Sequence, residues 1–454
     1  MNTVGDSGKL SLSKKIAFAL GQTGWSLAVF GFTELIYFFY LPPDNGKPLF
    51  KEFVYQGPVF GVFTIVGLLS AVGYFISAFM EPIVGSLSDR STFTFGKRKT
   101  FMAMAVIPFS LVAALVFFPI KDGLHSINIF WLSATVIIAF IIKCFYTTPY
   151  NAMINEIATD EKERLRIIMM ISVTYALGIG IGQTINIFMK VFEHQYPNEI
   201  IFKMCILAYS LIALILMLLP VLFVEDNSAK NNTHDEMLAA VQQTGLFDMM
   251  KEVWADKNFR VLVIVELIYW FPSKIFTVAV PYFVAALMHL DNLYTSIILY
   301  ACGFGSFLLY PLIDRLVDAY GKRKIMLSAF AFLMATYLFT ATIGMYKLPT
   351  AVVVFLYVIL NIYPVAVLGI LPMALAGDNA DSNARKTGVY RNASYFGLKS
   401  FMMKIGVALT SLIFPSLLLL GKSPQHPLGV RLVAVFCIIS SLLAFVVMRK
   451  YKDV

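Results

Sequence analysis

The stretch DRSTFTFGKRK at residues 89–99 returns as DRLVDAYGKRK at residues 314–324. Asp89-Arg90 becomes Asp314-Arg315, and Gly96-Lys97-Arg98-Lys99 becomes Gly321-Lys322-Arg323-Lys324, both 225 residues further along a chain of 454. One GKRK tetrad carries little information, but two separated motifs sharing one offset mark a duplicated half. A fainter echo joins Pro149 to Pro372. The surroundings of both copies are apolar: 59% of the chain is hydrophobic and 14% charged, with a mean hydropathy of +0.76. That leaves too little polar surface for a water-soluble protein of this size. Apolar runs of about 20 residues recur throughout, each long enough to cross a hydrocarbon core of about 30 Å. Twelve spans, I to XII, are expected at 15–41, 57–88, 100–120, 127–156, 166–192, 201–224, 259–288, 292–316, 325–346, 349–376, 388–420 and 428–448.

An even number of crossings puts both termini on one side. Lys and Arg on that side outnumber those opposite by roughly three to one, which predicts cytoplasmic termini for a multi-pass protein of a bacterial inner membrane. The net charge of +9 lies in short loops between spans, a distribution suited to lipid head groups rather than nucleic acid. Cys144, Cys205, Cys302 and Cys437 each sit inside an apolar run with no CxxC spacing, so neither zinc nor disulfides are indicated. The polar start, Met1 to Ser13, and the long first apolar run argue against a cleaved signal peptide. Between the halves, Asn227 to His234 reads as a linker. Asp235 to Trp254 reads as a surface helix with Leu238, Val241, Leu246, Met250, Val253 and Trp254 on one face. The expected domains are a six-helix bundle at 1–224, a linker with its amphipathic helix at 225–258, and a second six-helix bundle at 259–454. Parallel six-helix repeats define the all-α major facilitator architecture. The chain contains no HExxH, GxSxG or paired intramembrane aspartates, so an enzyme is not expected. A receptor or channel fits less well than a rocking carrier, working as a monomer on a small solute.

Chemistry is expected where ionisable groups enter the spans, because each costs a few kcal/mol there. They are Glu34 (span I), Glu81 (II), Lys143 (IV), Glu266 and Lys274 (VII), and Lys399 and Lys404 (XI). Glu81 precedes Pro82, which leaves the Ala78 carbonyl without its helical donor. A carboxylate beside such a carbonyl suits Na⁺ or a proton, and Lys404 is a candidate counter-charge that would compete with the cation. Glu266 and Lys274 are two helical turns apart and share a face, whereas Lys399 and Lys404 diverge. Four lysines against three glutamates favour an anionic or zwitterionic solute. At the duplicated motif the glycines permit a tight turn, the basic cluster anchors to head groups, and Asp89 and Arg90 can pair with a neighbouring helix. Trp25, Tyr37, Tyr40, Tyr146, Tyr269, Trp270 and Tyr395 interleave with these charges, mostly as packing or interfacial anchors.

Glu81-Pro82-Ile83-Val84-Gly85 with the following DR and GKRK motifs resembles the helix II segment of the glycoside–pentoside–hexuronide:cation symporters, the family of melibiose permease. Pro149-Tyr150-Asn151-Ala152-Met153 with Glu156 and Arg164 resembles that family's helix IV ending. Leu371-Pro372-Met373-Ala374, Asp378, Lys386-Thr387-Gly388 and Lys404 resemble its helix X–XI segment. The resemblance implies alternating access and symport driven by Na⁺, Li⁺ or H⁺, with no cofactor. It places the coupling-ion site at Glu81, Ser77, Thr147 and Lys404, with Ser77 where the family has a second acid. A single carboxylate favours H⁺ over Na⁺ at Glu81. The sugar-binding acids of helices I and IV fall at Ser26 and Thr147, the helix IV tryptophan at Asn151 and the helix V arginine at Ser172. Solute contacts are therefore expected from Trp25, Ser26, Glu34, Lys143, Asn151, Glu266, Lys274 and Lys399. Gating contacts are expected from Asp89, Arg90, Gly96, Lys97, Arg98 and Arg164, and from Asp314, Arg315, Gly321 and Lys322. Relatives of this family carry lysophospholipids, which keeps an amphipathic solute, or a peptidoglycan fragment, as the alternative to a sugar, glycoside or uronide.

Overall fold

A computed structural model describes residues 11–44, 48–93, 95–158, 161–225, 251, 253–387 and 392–453. The linker and most of the amphipathic helix expected at 225–258 lie outside them. Among the described residues, twelve helices are long and apolar enough to cross a membrane. They are α1 (Leu12–Tyr40), α2 (Ile65–Arg90), α3 (Lys97–Leu115), α4 (Ser126–Ile157), α5 (Glu161–Gln183, continued as Ile185–Phe192), α6 (Asn198–Phe223), α7 (Lys257–Val278), α8 (Leu293–Tyr320), α9 (Lys322–Thr342), α10 (Thr350–Thr387), α11 (Asn392–Leu418) and α12 (Leu428–Met448).

Several boundaries differ from the hydropathy reading. Span II is expected from residue 57, but α2 begins at Ile65, because Phe60 and Gly61 take positive φ in a turn closed by a Val59–Phe63 bridge. Span X is expected to end at 376, but α10 runs to Thr387. Hydropathy marks where a helix leaves lipid, whereas its backbone hydrogen bonds continue into the polar region. Inside span I, Gly31–Leu35 forms a π-helical turn carrying Glu34, and a second π turn, Phe283–Leu287, follows α7. Such turns often mark functional sites.

The two copies of the duplicated motif adopt one local geometry. Gly96 (φ 112°) precedes α3 and Gly321 (φ 84°) precedes α9. Both values favour glycine, since a Cβ would be strained there. Elsewhere Asp256 caps α7, its carboxylate accepting from the backbone N–H of Asn258 (2.9 Å) and Phe259 (3.2 Å).

The described residues group into two compact units, one within Met1–Phe39, Lys51–Val54 and Ile76–Val241, the other within Tyr40–Phe50, Tyr55–Phe75 and Gln242–Val454. In the first, α1 packs on α5 and α6, and α3 on α4 and α6. Its core is aromatic: Phe32 meets Phe109 and Phe140 edge-on, and Phe18 stacks on Tyr150 at 4.4 Å. The Tyr150 hydroxyl donates to the Phe18 carbonyl (2.7 Å) and that of Tyr146 to Met217 (3.0 Å), so both rings bury their polar tips satisfied. In the second unit α7 packs on α10, α11 and α12, and α9 on α10 and α12. The opening turns of α2 belong here. A Cβ at Gly67 would lie 2.7 Å from Pro415 and 2.9 Å from the Ser411 carbonyl of α11, so only glycine allows this approach. From Ile76 onward, including Glu81, α2 belongs to the first unit. The four cysteines are buried and form no disulfides.

Candidate functional site

In the first unit, α2 presents Ser77 and Glu81 one turn apart toward α4. Ser77 Oγ donates to Glu81 Oε1 at 3.5 Å, and Lys143 Nζ of α4 stands 4.0 Å from the same oxygen. Cys144 Sγ lies 3.4 Å from Ser77 Oγ, a neighbour that sequence reasoning did not single out. Thr147 turns its hydroxyl back to the Lys143 carbonyl (3.0 Å), one turn earlier on its own helix. The Glu81 side chain is 26% exposed and that of Lys143 13%. The structure thus sets Lys143, expected among the solute contacts, beside the expected coupling carboxylate. Among the described residues no group of three or more His, Cys, Asp or Glu could hold a metal ion.

The second unit holds a tighter pair. Glu266 of α7 is fully buried, with Oε1 2.9 Å from Lys399 Nζ of α11 and Oε2 accepting from Trp270 Nε1 at 2.8 Å. Trp270 lies one turn after Glu266, so the i,i+4 spacing carries a signal for this bond, though not for which side chain closes it. Lys274, buried on the same helix, lies over the Tyr74 ring at 5.8 Å from its centre. Lys404 is also buried, five residues beyond Lys399 on α11.

The ends carrying the glycine turns hold further charge networks. Arg98 of α3 pairs with Asp89 of α2, with Glu156 of α4 (3.0 Å), and donates to Ser88 Oγ (2.9 Å). In the second copy Asp314 and Arg315 are exposed. There Lys322 pairs with Asp378 of α10 (2.6 Å), and Arg323 binds the C-terminal tail through Asp453 and Arg449. The repeat keeps its turn and changes its partners. Lys97 is half-buried beside the turn, Arg90 and Arg164 are exposed, and the neighbouring Glu163 is the buried acid, paired with Lys15 of α1 at 2.5 Å. Arg98→Ala is expected to cost about 2 kcal/mol, because it strands two partly buried carboxylates. Thermal melting of the purified protein would register this, with Arg98→Lys recovering part of the loss.

The remaining expected residues are dispersed. Ser26 donates to the Thr23 (3.2 Å) and Tyr175 (3.3 Å) carbonyls, which commits its hydroxyl to holding α1 against α5. Trp25 packs beside Tyr175, its Nε1 buried without an acceptor. Asn151 is exposed, and Glu34 is half-buried on its π turn.

Twelve helices long and apolar enough to cross a membrane and a duplicated glycine turn define an integral multi-pass membrane protein of the major facilitator fold, the architecture of secondary transporters. Residues 59–451 match the family described as MFS/sugar transport protein, and the chain belongs to that family. It is 29% identical over 161 residues to the "Putative glycoside/cation symporter YagG" of Escherichia coli (strain K12), a stretch covering 34% of this chain and 30% of that protein's length. Solved structures similar in fold include the nucleoside transporter NupG (TM-score 0.64, 12% identity, 97% of this chain and 99% of that one). A D-xylose–proton symporter (0.66, 13%, 97% and 98%) and the inward-open xylose transporter XylE from E. coli (0.62, 12%, 97% and 95%) share it too.

Proposed function

We propose that this chain is a proton-coupled symporter of a sugar, glycoside or uronide, working by alternating access. The observation that carries the reading is the loose Glu81–Lys143 pair, with Ser77 as its third member, in a helix that contains Pro82. When Glu81 takes up a proton, Lys143 loses its counter-charge and is left to bind an acidic or hydroxyl-rich solute. Conversely, an anion on Lys143 favours the protonated carboxyl, so each ligand promotes the other by the same factor. The name of the E. coli relative supports a glycoside and a cation as the pair carried. Glu266, Lys274 and Lys399 are the solute-binding candidates of the second unit. Both termini are cytoplasmic in this reading, the membrane is a bacterial inner membrane, and the monomer, bedded in anionic lipid, is the working unit.

The surplus of lysines within the spans favours one further reading, an anionic amphiphile such as a lysophospholipid or a peptidoglycan fragment. Proteoliposomes with a trapped pH dye separate the two. Addition of glycosides or glucuronides should acidify the lumen equally in Na⁺ and K⁺ buffers. Uptake that moves no protons and requires Na⁺ would reject proton coupling, and a response to lysolipid or muropeptide alone would reject the sugar.

A further inference from the structure

The two copies of the duplicated motif share a turn, but the second lacks the acid that ties down the first. Arg98 and Arg323 occupy the same place in the motif, 225 residues apart. Glu156 follows Pro149 by seven residues and Asn379 follows Pro372 by seven, so Asn379 stands where the first copy has its carboxylate. In the first copy Arg98 Nε donates to Glu156 at 3.0 Å. In the second, Arg323 Nε is buried without an acceptor, and the guanidinium donates to the Arg449 carbonyl instead. A neutral amide offers that arginine no counter-charge.

The second copy is held by the segment that follows α12. Chain beyond a last helix usually frays unless it is tied down. Here Tyr451 and Asn379 are each 1% exposed, and Asn379 Nδ2 donates to the Tyr451 hydroxyl (2.7 Å) and the Leu375 carbonyl (2.7 Å). Asn258, in the first turn of α7, donates through Nδ2 to Asn379 Oδ1 (3.0 Å) and to the Lys452 carbonyl (2.9 Å). Its Oδ1 accepts from the Lys452 N–H at 2.8 Å, so donors and acceptor of the amide all serve this junction. Asp453 completes it. Gly321 has no side chain with which to cap α9, and Asp453 Oδ1 accepts from the Arg323 backbone N–H at 3.0 Å. That N–H is one of those a helix start leaves without a partner. All of these groups lie in the second unit.

We propose that Tyr451–Asp453 is a strap that does for the second glycine turn what the Arg98 ion bridge does for the first. It caps α9 from outside that helix and pins the starts of α7 and α9 to α10. Opening it would strand the buried amide of Asn379 and the Tyr451 hydroxyl, so the strap stays shut. It thereby anchors α7, the helix that carries Glu266 and Lys274.

The test is hydrogen–deuterium exchange of the full-length protein in nanodiscs of phosphatidylethanolamine and phosphatidylglycerol, read over residues 97–103, 257–263 and 321–327. Asp453→Ala should speed exchange in 321–327 about five- to tenfold, as loss of a helix cap does, and leave 97–103 unchanged. Tyr451→Ala should speed both 321–327 and 257–263. Lys452→Ala removes an exposed side chain outside these bonds and should change none of the three. Arg98→Ala should give the converse, faster exchange in 97–103 with 321–327 unchanged. If Tyr451→Ala fails to fold, Asp453→Ala, at an exposed position, carries the measurement. Unchanged exchange in 321–327 for Asp453→Ala overturns the strap. Equal loosening of 97–103 in that variant also overturns it, because the loss would then be one of general stability.

Discussion

Glu81→Gln is expected to abolish gradient-driven accumulation while leaving solute exchange at equal concentrations measurable. Glutamine keeps the shape and can accept from Ser77 Oγ, now 3.5 Å from the carboxylate, but it has no proton to take up and release. The size of the effect follows from the driving force. One proton carried per solute is worth about 2.3 kcal/mol per 100 mV of membrane potential and about 1.4 kcal/mol per pH unit. At 100 mV and one pH unit these total about 3.7 kcal/mol, an accumulation on the order of 500-fold. The variant should fall to the concentration ratio of unity that an uncoupled carrier reaches. Counterflow in proteoliposomes and uptake in energised vesicles measure the two properties separately. Normal accumulation by the variant would remove Glu81 from the coupling step. Loss of counterflow as well would assign it to solute binding or folding instead.

The second large effect is expected at the buried pair of the second unit. In Lys399→Met, Glu266 would keep its bond from Trp270 Nε1 but lose the ammonium 2.9 Å away, in a position with no solvent access. Removing one partner of a buried pair costs about 3–5 kcal/mol, whereas replacing both by neutral groups of similar volume is close to neutral. Glu266→Gln combined with Lys399→Met should therefore recover most of the stability lost by the single change, and melting curves of the three variants measure it. Transport separates two roles. If the double variant regains both stability and transport, the pair is architectural. If it regains stability alone, the charges serve solute binding or the transport cycle.

These experiments rest on different degrees of legibility. That Glu81 and Glu266 deserve scrutiny follows from the sequence, because the membrane makes any embedded carboxylate expensive. Which lysine stands beside each does not follow. Lys143, Lys274, Lys399 and Lys404 are equally costly in isolation, and only the rotation and neighbours of each helix put Lys143 beside Glu81 and Lys399 beside Glu266. At the glycine turns, the duplicated letters announce a shared backbone geometry, which Gly96 and Gly321 adopt. The ion pairs differ, since Arg98 bridges Asp89 and Glu156 while Lys322 reaches Asp378. Arg164 draws attention by its charge, yet it is the adjacent Glu163 that is buried against Lys15. Cys144, read in the sequence only as a cysteine in an apolar run, gave no sign that it would lie beside Ser77.

Hydropathy and the 225-residue echo by themselves pointed to twelve apolar spans and a duplicated turn, and twelve such helices and both glycine turns are present among the described residues. These features are additive along the chain, since each span is judged against lipid alone. Tertiary structure decided which side chains meet: Lys143 beside Glu81, and Lys399 with Trp270 on the buried Glu266. Contacts of this kind depend on the angle at which one helix faces another, and a few degrees of rotation move a side chain from lipid to a partner without altering the hydropathy of its span.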